Sequence, residues 1–169
     1  SGSYHVGDLI KVLPSGIETV ITKIEINQQE VASASAGDSV VLHLKDQIDI
    51  SRGDTLIKAT SEIIDTNQIN SWICWLDQTP LQPGKTYLLQ HRFKTVRVKV
   101  QAIHQMWDIN EWKFNATNTI SLNDIGQVQL KTNQPLFFDA FVDNVKTGNA
   151  ILIDETTNNT VAALMFLKD

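Results

Sequence analysis

The sequence predicts an all-β protein built from short antiparallel strands, and three observations carry that prediction. Apolar and polar residues alternate with period two in several segments, turn residues interrupt them at short intervals, and no segment holds a helical period over three turns. Many short strands separated by turn signals fit antiparallel barrels or sandwiches.

From the N-terminus, Leu9-Ile10-Lys11-Val12-Leu13 runs into the turn Pro14-Ser15-Gly16, after which Thr19-Val20-Ile21-Thr22 resumes, a hairpin pattern. Residues 36–54 read AGDSVVLHLKDQIDISRGD. A Gly-Asp turn precedes a strand with Val40, Leu42 and Leu44 on one face, and Arg52-Gly53-Asp54 then turns into Leu56-Ile57. Residues 48–52 and 59–67 are each expected to hold at most a helical turn. The polar stretch from Thr60 to Gln68 is the best linker, dividing the chain into 1–66 and 67–169. Beyond it, strands are expected over 71–76 and 86–90. Val96, Val98, Val100 and Ala102 then alternate with Thr95, Arg97, Lys99 and Gln101, and Val128 and Leu130 with Gln127, Gln129 and Lys131. Residues 150–154 and 160–167 complete the set.

A chain of 169 residues can form one large domain or two small ones. Apolar residues at 42% and charged residues at 20% match globular usage, so a packed core is expected. A formal charge of −5 argues against nucleic acid as a partner, since such proteins carry a basic excess. No apolar run approaches a membrane span. Ser1-Gly2-Ser3 does not open a signal peptide, and the single cysteine, Cys74, excludes an internal disulfide. A reducing compartment, the cytoplasm, is expected.

Motifs that suggest chemistry each have a plainer reading. Gly84-Lys85-Thr86 resembles the end of a phosphate loop, but Thr79 stands where that motif needs its first glycine, and a strand rather than a helix follows. Arg52-Gly53-Asp54 is sufficiently explained as a tight turn. Lys146-Thr147-Gly148 lacks the partner Ser-x-x-Lys of penicillin-recognising enzymes and reads as a turn. The sequons at Asn115 and Asn158 carry little weight without a secretory signal. His5, His43, His91 and His104 are scattered without metal-ligand spacing, and Cys74 between Ile73 and Trp75 is expected to be buried and inert. No catalytic, cofactor-binding or metal-binding residue is assigned. Gly7, Gly16, Gly37, Gly53, Gly84 and Gly148 are expected at structural turns. Trp72, Trp75, Trp107 and Trp112 are candidates for partner contact; Trp72 and Trp75 have opposite parity, so one of them should face the core.

The AGD turn followed by a DISRGD turn resembles the second β-barrel domain of translational GTPases such as elongation factor Tu. Within that superfamily the spelling is most similar to the GTPase (large) subunit of bacterial sulfate adenylyltransferase. Val6-Gly7-Asp8-Leu9-Ile10, Pro14-Ser15-Gly16, Pro80-Leu81 with Pro83-Gly84, Leu122-Asn123-Asp124-Ile125-Gly126 and the closing segment 147–163 extend the likeness over nearly the whole chain. The last hairpin departs from it, with Ala162, Ala163 and Leu164 before Met165 where glycines are usual.

The resemblance implies two small antiparallel barrels, like the second and third domains of elongation factor Tu, with the first lacking its first strand and therefore either incomplete or sealed by a neighbouring chain. It implies a parent that makes adenylyl sulfate from ATP and sulfate in sulfate assimilation and cysteine biosynthesis. GTP and Mg²⁺ would belong to a GTPase domain absent from these residues, and the catalytic (small) subunit would be the partner. This chain itself would be inactive scaffold and contact surface, without a cofactor. The alternative is an RNA- or protein-binding barrel pair from a translation factor, which the acidic balance does not favour.

Overall fold

The structure is a computed structural model and describes residues 2–61 and 63–168. It falls into two compact units, Ser1–Glu62 and Ile63–Asp169. Among the described residues every regular element is a strand.

The first unit carries β1 (Ser3–His5), β2 (Leu9–Leu13), β3 (Ile17–Ile26), β4 (Gln29–Val31), β5 (Ser33–Ser35), β6 (Val40–Leu44) and β7 (Thr55–Lys58). The expected hairpin is β2–β3, with Leu9 opposite Val20 and Val12 opposite Ile17. β7 adds to the other side of β2, with Ile10 opposite Lys58. The second half of β3 lies between β4 and β6, and a bulge between Ile21 and Lys23 bends it there. β1 and β5 form a separate two-stranded ladder. The result is a curled sheet whose hydrogen-bonded path does not return on itself among the described residues. Its core is Ile10, Ile21, Ile24 and Ala34, against which Tyr4, Leu42, Leu44 and Leu56 pack. Tyr4 fastens β1 to β7 by donating its hydroxyl proton to the Leu56 carbonyl at 2.7 Å.

The second unit carries β8 (Ile64–Trp75), β9 (Thr86–His91), β10 (Lys94–Asp108), β11 (Lys113–Ala116), β12 (Ile125–Phe138), β13 (Asn149–Ile153) and β14 (Thr160–Phe166). Six of them close into a barrel in the order β9-β10-β12-β8-β14-β13, and β13 pairs back onto β9. Closure removes the free edges that an open sheet must protect. β11 stands outside the ring, paired to β10 alone.

Alternation decides which side chains enter this barrel. On β8, Ile69, Ile73 and Trp75 point in, and Val96, Val98 and Val100 do so on β10. They meet Leu130, Leu152, Leu164 and Phe166 in one continuous core. Burying one such large side chain contributes roughly 1.5–3 kcal/mol. Ile120 plugs one end, held by a two-way backbone contact with Leu81 at 2.8 and 3.3 Å. It occupies space left by Gly126, where a Cβ would sit 2.9 Å from the Gln105 carbonyl and 2.5 Å from the Ile120 terminal methyl.

Three expectations need correction. Residues 48–52 are irregular, 59–60 form a turn, and Glu62 lies outside the described residues. No helical turn forms among the described residues of either segment; the strand β8 begins at Ile64 instead. Its first residues pair with the end of β12, Ile64 opposite Phe138, and that ladder outcompetes a local helix. The strand therefore runs through positions 66 and 67, and the division between units falls between Glu62 and Ile63. Third, Ala102 does not continue the inward row of β10. Two bulges, between Val100 and Ala102 and between Ile103 and Gln105, reverse the parity twice.

Candidate docking face of the closed barrel

The two bulges in β10 decide what the outside of the barrel presents. Beyond them Gln105 pairs with Gln127 and Met106 with Gly126, so Gln105 and Trp107 project outward. The β10–β11 hairpin then sets Trp107 directly opposite Phe114. Their rings pack at 4.7 Å between centroids. Trp112 meets Trp107 edge to face at 6.0 Å. Phe114 also stacks on Trp72 of β8 at 5.3 Å and 28°. Trp72, Trp107, Trp112 and Phe114 are thus one aromatic cluster on the outer face. Trp112 is 79% and Phe114 47% exposed.

The hairpin tip is rigidly made. Asp108 accepts the backbone N–H groups of Asn110 and Glu111 on one carboxylate oxygen and the Asn115 side-chain amide on the other, at 2.9, 3.2 and 3.2 Å. Trp112 is held in the left-handed region at φ 52°, which a bulky residue seldom adopts. Ile109 is exposed beside it in the turn. Such a position costs about 1–2 kcal/mol and holds where surrounding contacts over-determine it. On the same outer face Gln105 Nε2 donates to Gln127 Oε1 at 2.8 Å, and Gln127 stands opposite Trp72 in the ladder.

Trp75 is a correction. It is 1% exposed, packs edge to face on Tyr87 at 5.7 Å and donates its indole N–H to the Thr79 carbonyl at 2.9 Å. It is therefore the tryptophan that faces the core, and Trp72 the one that faces out. Cys74 is a second correction: the same alternation leaves it partly exposed on the outer face, opposite Ile125 and Ala163. Phe114 was missed by sequence reasoning, because Lys113–Ala116 is too short to show alternation.

The turn glycines occupy two kinds of site. Gly7, Gly16, Gly37, Gly53 and Gly84 have φ from 75° to 103°, where a side chain is strained. Gly148 lies outside that region; a Cβ there would fall on the Phe141 backbone, so it answers to close approach. Gly84 turns into the strand β9 and gives its N–H to the Val100 carbonyl at 2.8 Å, unlike a phosphate loop.

The histidines are dispersed. His5 lies 3.8 Å from Asp8, and His43 lies 3.5 Å from Glu25. His104 is exposed on β10. His91 is buried and contacts the Thr147 carbonyl through Nε2 at 2.8 Å, so Nε2 carries the proton. Burial pushes its pKa down, against the Thr147 carbonyl, which raises it. That contact ties the end of β9 to the 139–148 loop, where Asp139 accepts from Asn144 and Thr147. No group of three or more His, Cys, Asp or Glu side chains is placed to hold a metal among the described residues.

Residues 68–166 match the protein family described as GTP-eEF1A C-terminal domain-like. Over its whole length the chain is 39% identical to the bifunctional enzyme CysN/CysC of Mycobacterium tuberculosis (strain ATCC 25618 / H37Rv), of which it covers 28%. It is 36% identical over 98% of its length to sulfate adenylyltransferase subunit 1 of Erwinia tasmaniensis, covering 35% of that protein. With the corresponding subunit of Citrobacter koseri the identity is 38% over 96% of this chain and 34% of that one. The chain thus spans about a third of the length of the curated relatives it matches. Among solved structures, sup35 complexed with GDP superposes with a TM-score of 0.84 at 20% identity, covering 99% of this chain and 42% of that one. The complex of sup35 with GMPPNP gives 0.85 at 19%, with the same coverage. Similarity at that identity speaks to the fold, the all-β architecture found here.

Proposed function

Because the chain belongs to the GTP-eEF1A C-terminal domain-like family, we propose that it supplies the barrel domains of the regulatory GTPase subunit of sulfate adenylyltransferase. In this reading Ser1–Glu62 is the second-domain-like unit and Ile63–Asp169 the third-domain-like barrel. The longer protein carries GTP and Mg²⁺ on a separate GTPase domain, and couples GTP hydrolysis to formation of adenylyl sulfate from ATP and sulfate in the cytoplasm. The observation that carries the reading is 36–38% identity across 96–98% of this chain to relatives named sulfate adenylyltransferase subunit 1.

The chain's own part is mechanical. Hydrolysis of a nucleotide releases switch loops, and a rigid body is needed to pass that change to a partner surface. A closed barrel serves as such a body, and the outer cluster of Trp72, Trp107, Trp112 and Phe114 is the contact with the catalytic subunit. Exposed aromatic anchors of this kind are enriched among residues that dominate binding.

Titration calorimetry of this chain with the catalytic subunit tests the reading. Binding is expected, with Trp107→Ala weakening it about tenfold or more, the loss typical of an aromatic anchor. A chain that ignores the catalytic subunit, or binds GTP itself, would refute it.

A further inference from the structure

We infer that the β8–β12–β10–β11 face of the barrel docks a protein surface that is acidic at one end and apolar at the other. The inference rests on the reading above and adds the chemistry by which the catalytic subunit is recognised.

Its first support is a like-charge pair. Lys99 of β10 and Lys131 of β12 stand directly opposite each other in the ladder. Both side chains are exposed, and their neighbours Val98, Val100, Leu130 and Thr132 are buried, so the two ammonium groups share the outer face. Like charges directly across a strand pair are destabilising. Lys23, Lys58, Lys113 and Lys168 each have a carboxylate partner. Among the described residues Lys99 and Lys131 have none, nor do Lys11, Lys45, Lys85, Lys94 and Lys146; what distinguishes Lys99 and Lys131 is that they face each other in one ladder.

The second support is what the face omits. The chain has 19 Asp and Glu against 14 Lys and Arg. Yet of the strands that build this face β11 and β12 contain no carboxylate, while β8 and β10 carry one each near a strand end, Asp65 and Asp108. Glu155 is taken up by Arg97, two residues before Lys99. Lys99 and Lys131 are thus a facing pair of cations without a carboxylate partner on a chain of charge −5. A carboxylate on a partner, placed between Lys99 and Lys131, would turn their repulsion into two attractions.

The third support is position. Four residues of β12 separate Lys131 from Gln127, about 13 Å at the rise of a strand. Gln127 is paired with Trp72, at the edge of the aromatic cluster. The face therefore runs from cations through amides to rings along one direction. A nucleic acid would need a broader cationic stripe than one lysine pair. A protein surface matches the basic end and the apolar end together.

The test uses this chain and three variants, Lys99→Glu with Lys131→Glu, Lys99→Arg with Lys131→Arg, and Trp107→Ala. Each is titrated with the catalytic subunit at low and high salt, with a thermal melt to show that the lysine substitutions leave the fold intact. The double reversal is expected to bind about tenfold more weakly at low salt and to lose most of the salt dependence. The arginine pair is expected to bind like the parent. Parent-like binding by the double reversal overturns the inference while leaving the functional reading in place. No binding by the parent sinks the functional reading, and the inference with it. Preferential binding of the parent to single-stranded RNA, abolished by the double reversal, overturns the protein partner in favour of a nucleic acid.

Discussion

Asp124 accepts the backbone N–H of Ser121 on its carboxylate at 2.8 Å and returns its own N–H to the Ser121 carbonyl at 3.0 Å. The same reciprocal closure joins His5 to Asp8 at 2.9 and 3.1 Å, Ser35 to Asp38 at 2.7 and 3.1 Å, and Ser51 to Asp54 at 2.9 and 3.0 Å. The residue before each aspartate is left-handed: Asn123, Gly7, Gly37 and Gly53. One corner design, with a positive φ at its third position, is therefore used in both units.

Removing the carboxylate leaves one amide of such a corner without its partner. Asp124→Ala and Asp54→Ala are each expected to lower stability by about 0.5–1.5 kcal/mol, the net worth of one hydrogen bond. Gly53→Ala should cost about 1–2 kcal/mol through the left-handed backbone alone. Urea unfolding of the three variants checks the ranking; no change in midpoint for any of them would contradict it.

Asp8 adds a pH dependence. The His5 amide, and then the Lys58 ammonium, hold its carboxyl below the usual aspartate range. Between that depressed value and the ordinary one the unfolded chain binds more protons than the folded chain, so stability rises with pH there. The contribution is complete above the ordinary value and fades as pH falls through the folded one. Acid titration of melting temperature should show a shallower decline for Asp8→Asn than for the parent.

His91 titrates in the same sense but nearer neutrality. Burial lowers its pKa, so the folded protein resists a proton that the unfolded chain accepts. Stability is full above the ordinary histidine value, about 6.5, and declines below it toward the lowered folded value. Asp139 favours protonation, while Arg92 and Lys94 oppose it. His91→Gln keeps an N–H for Thr147 and should abolish the decline between neutral and mildly acidic pH. An unchanged pH profile in that variant would remove His91 from the account.

Gly126 and Ile120 form a fitted pair. Gly126→Ala forces a methyl against Ile120 and the Gln105 carbonyl, and overpacking of this kind costs about 1–3 kcal/mol. Ile120→Val in the same chain frees space, so the double variant should be more stable than the sum of the singles predicts. Strict additivity in a double-mutant cycle would show that the two sites do not share this space.

The aromatic cluster separates stability from recognition. Trp107 touches both Trp112 and Phe114, and an aromatic pair is worth about 0.5–1.5 kcal/mol beyond area burial, so Trp107→Ala should destabilise measurably. Trp112→Ser removes only the edge-to-face pair with Trp107, so by chemical denaturation it should cost less than Trp107→Ala, about 0.5–1.5 kcal/mol at most. It should yet weaken the proposed binding to the catalytic subunit, because its ring is largely in solvent. Equal binding by Trp112→Ser and the parent would remove this tryptophan from the contact.

Much of this architecture was legible wherever alternation ran uninterrupted. Leu9–Leu13 and Val40–Leu44 are strands with the expected bounds, and the opposite parity of Trp72 and Trp75 correctly required one of them inside. What hid the rest was long-range pairing. A bulge is a mismatch between two strands, so nothing in 94–108 alone marks where β10 reverses parity and turns Trp107 outward. Ile64 and Asp65 join β8 because they meet Phe138 and Phe137 some seventy residues away, a partnership invisible in a local window. The Lys99–Lys131 pair is of the same kind: each lysine was an ordinary polar strand position until the register set them face to face.

The corner design has a consequence for how this molecule meets others. Asp8, Asp38, Asp54 and Asp124 each have an oxygen turned onto a backbone amide, so four of the chain's negative charges are fixed in place at bends. An overall tally of acids and bases then misdescribes what an approaching molecule encounters. Anion-exchange retention will follow the total, whereas encounter rates will follow the orientation of an uneven charge distribution, and the two need not agree even in sign.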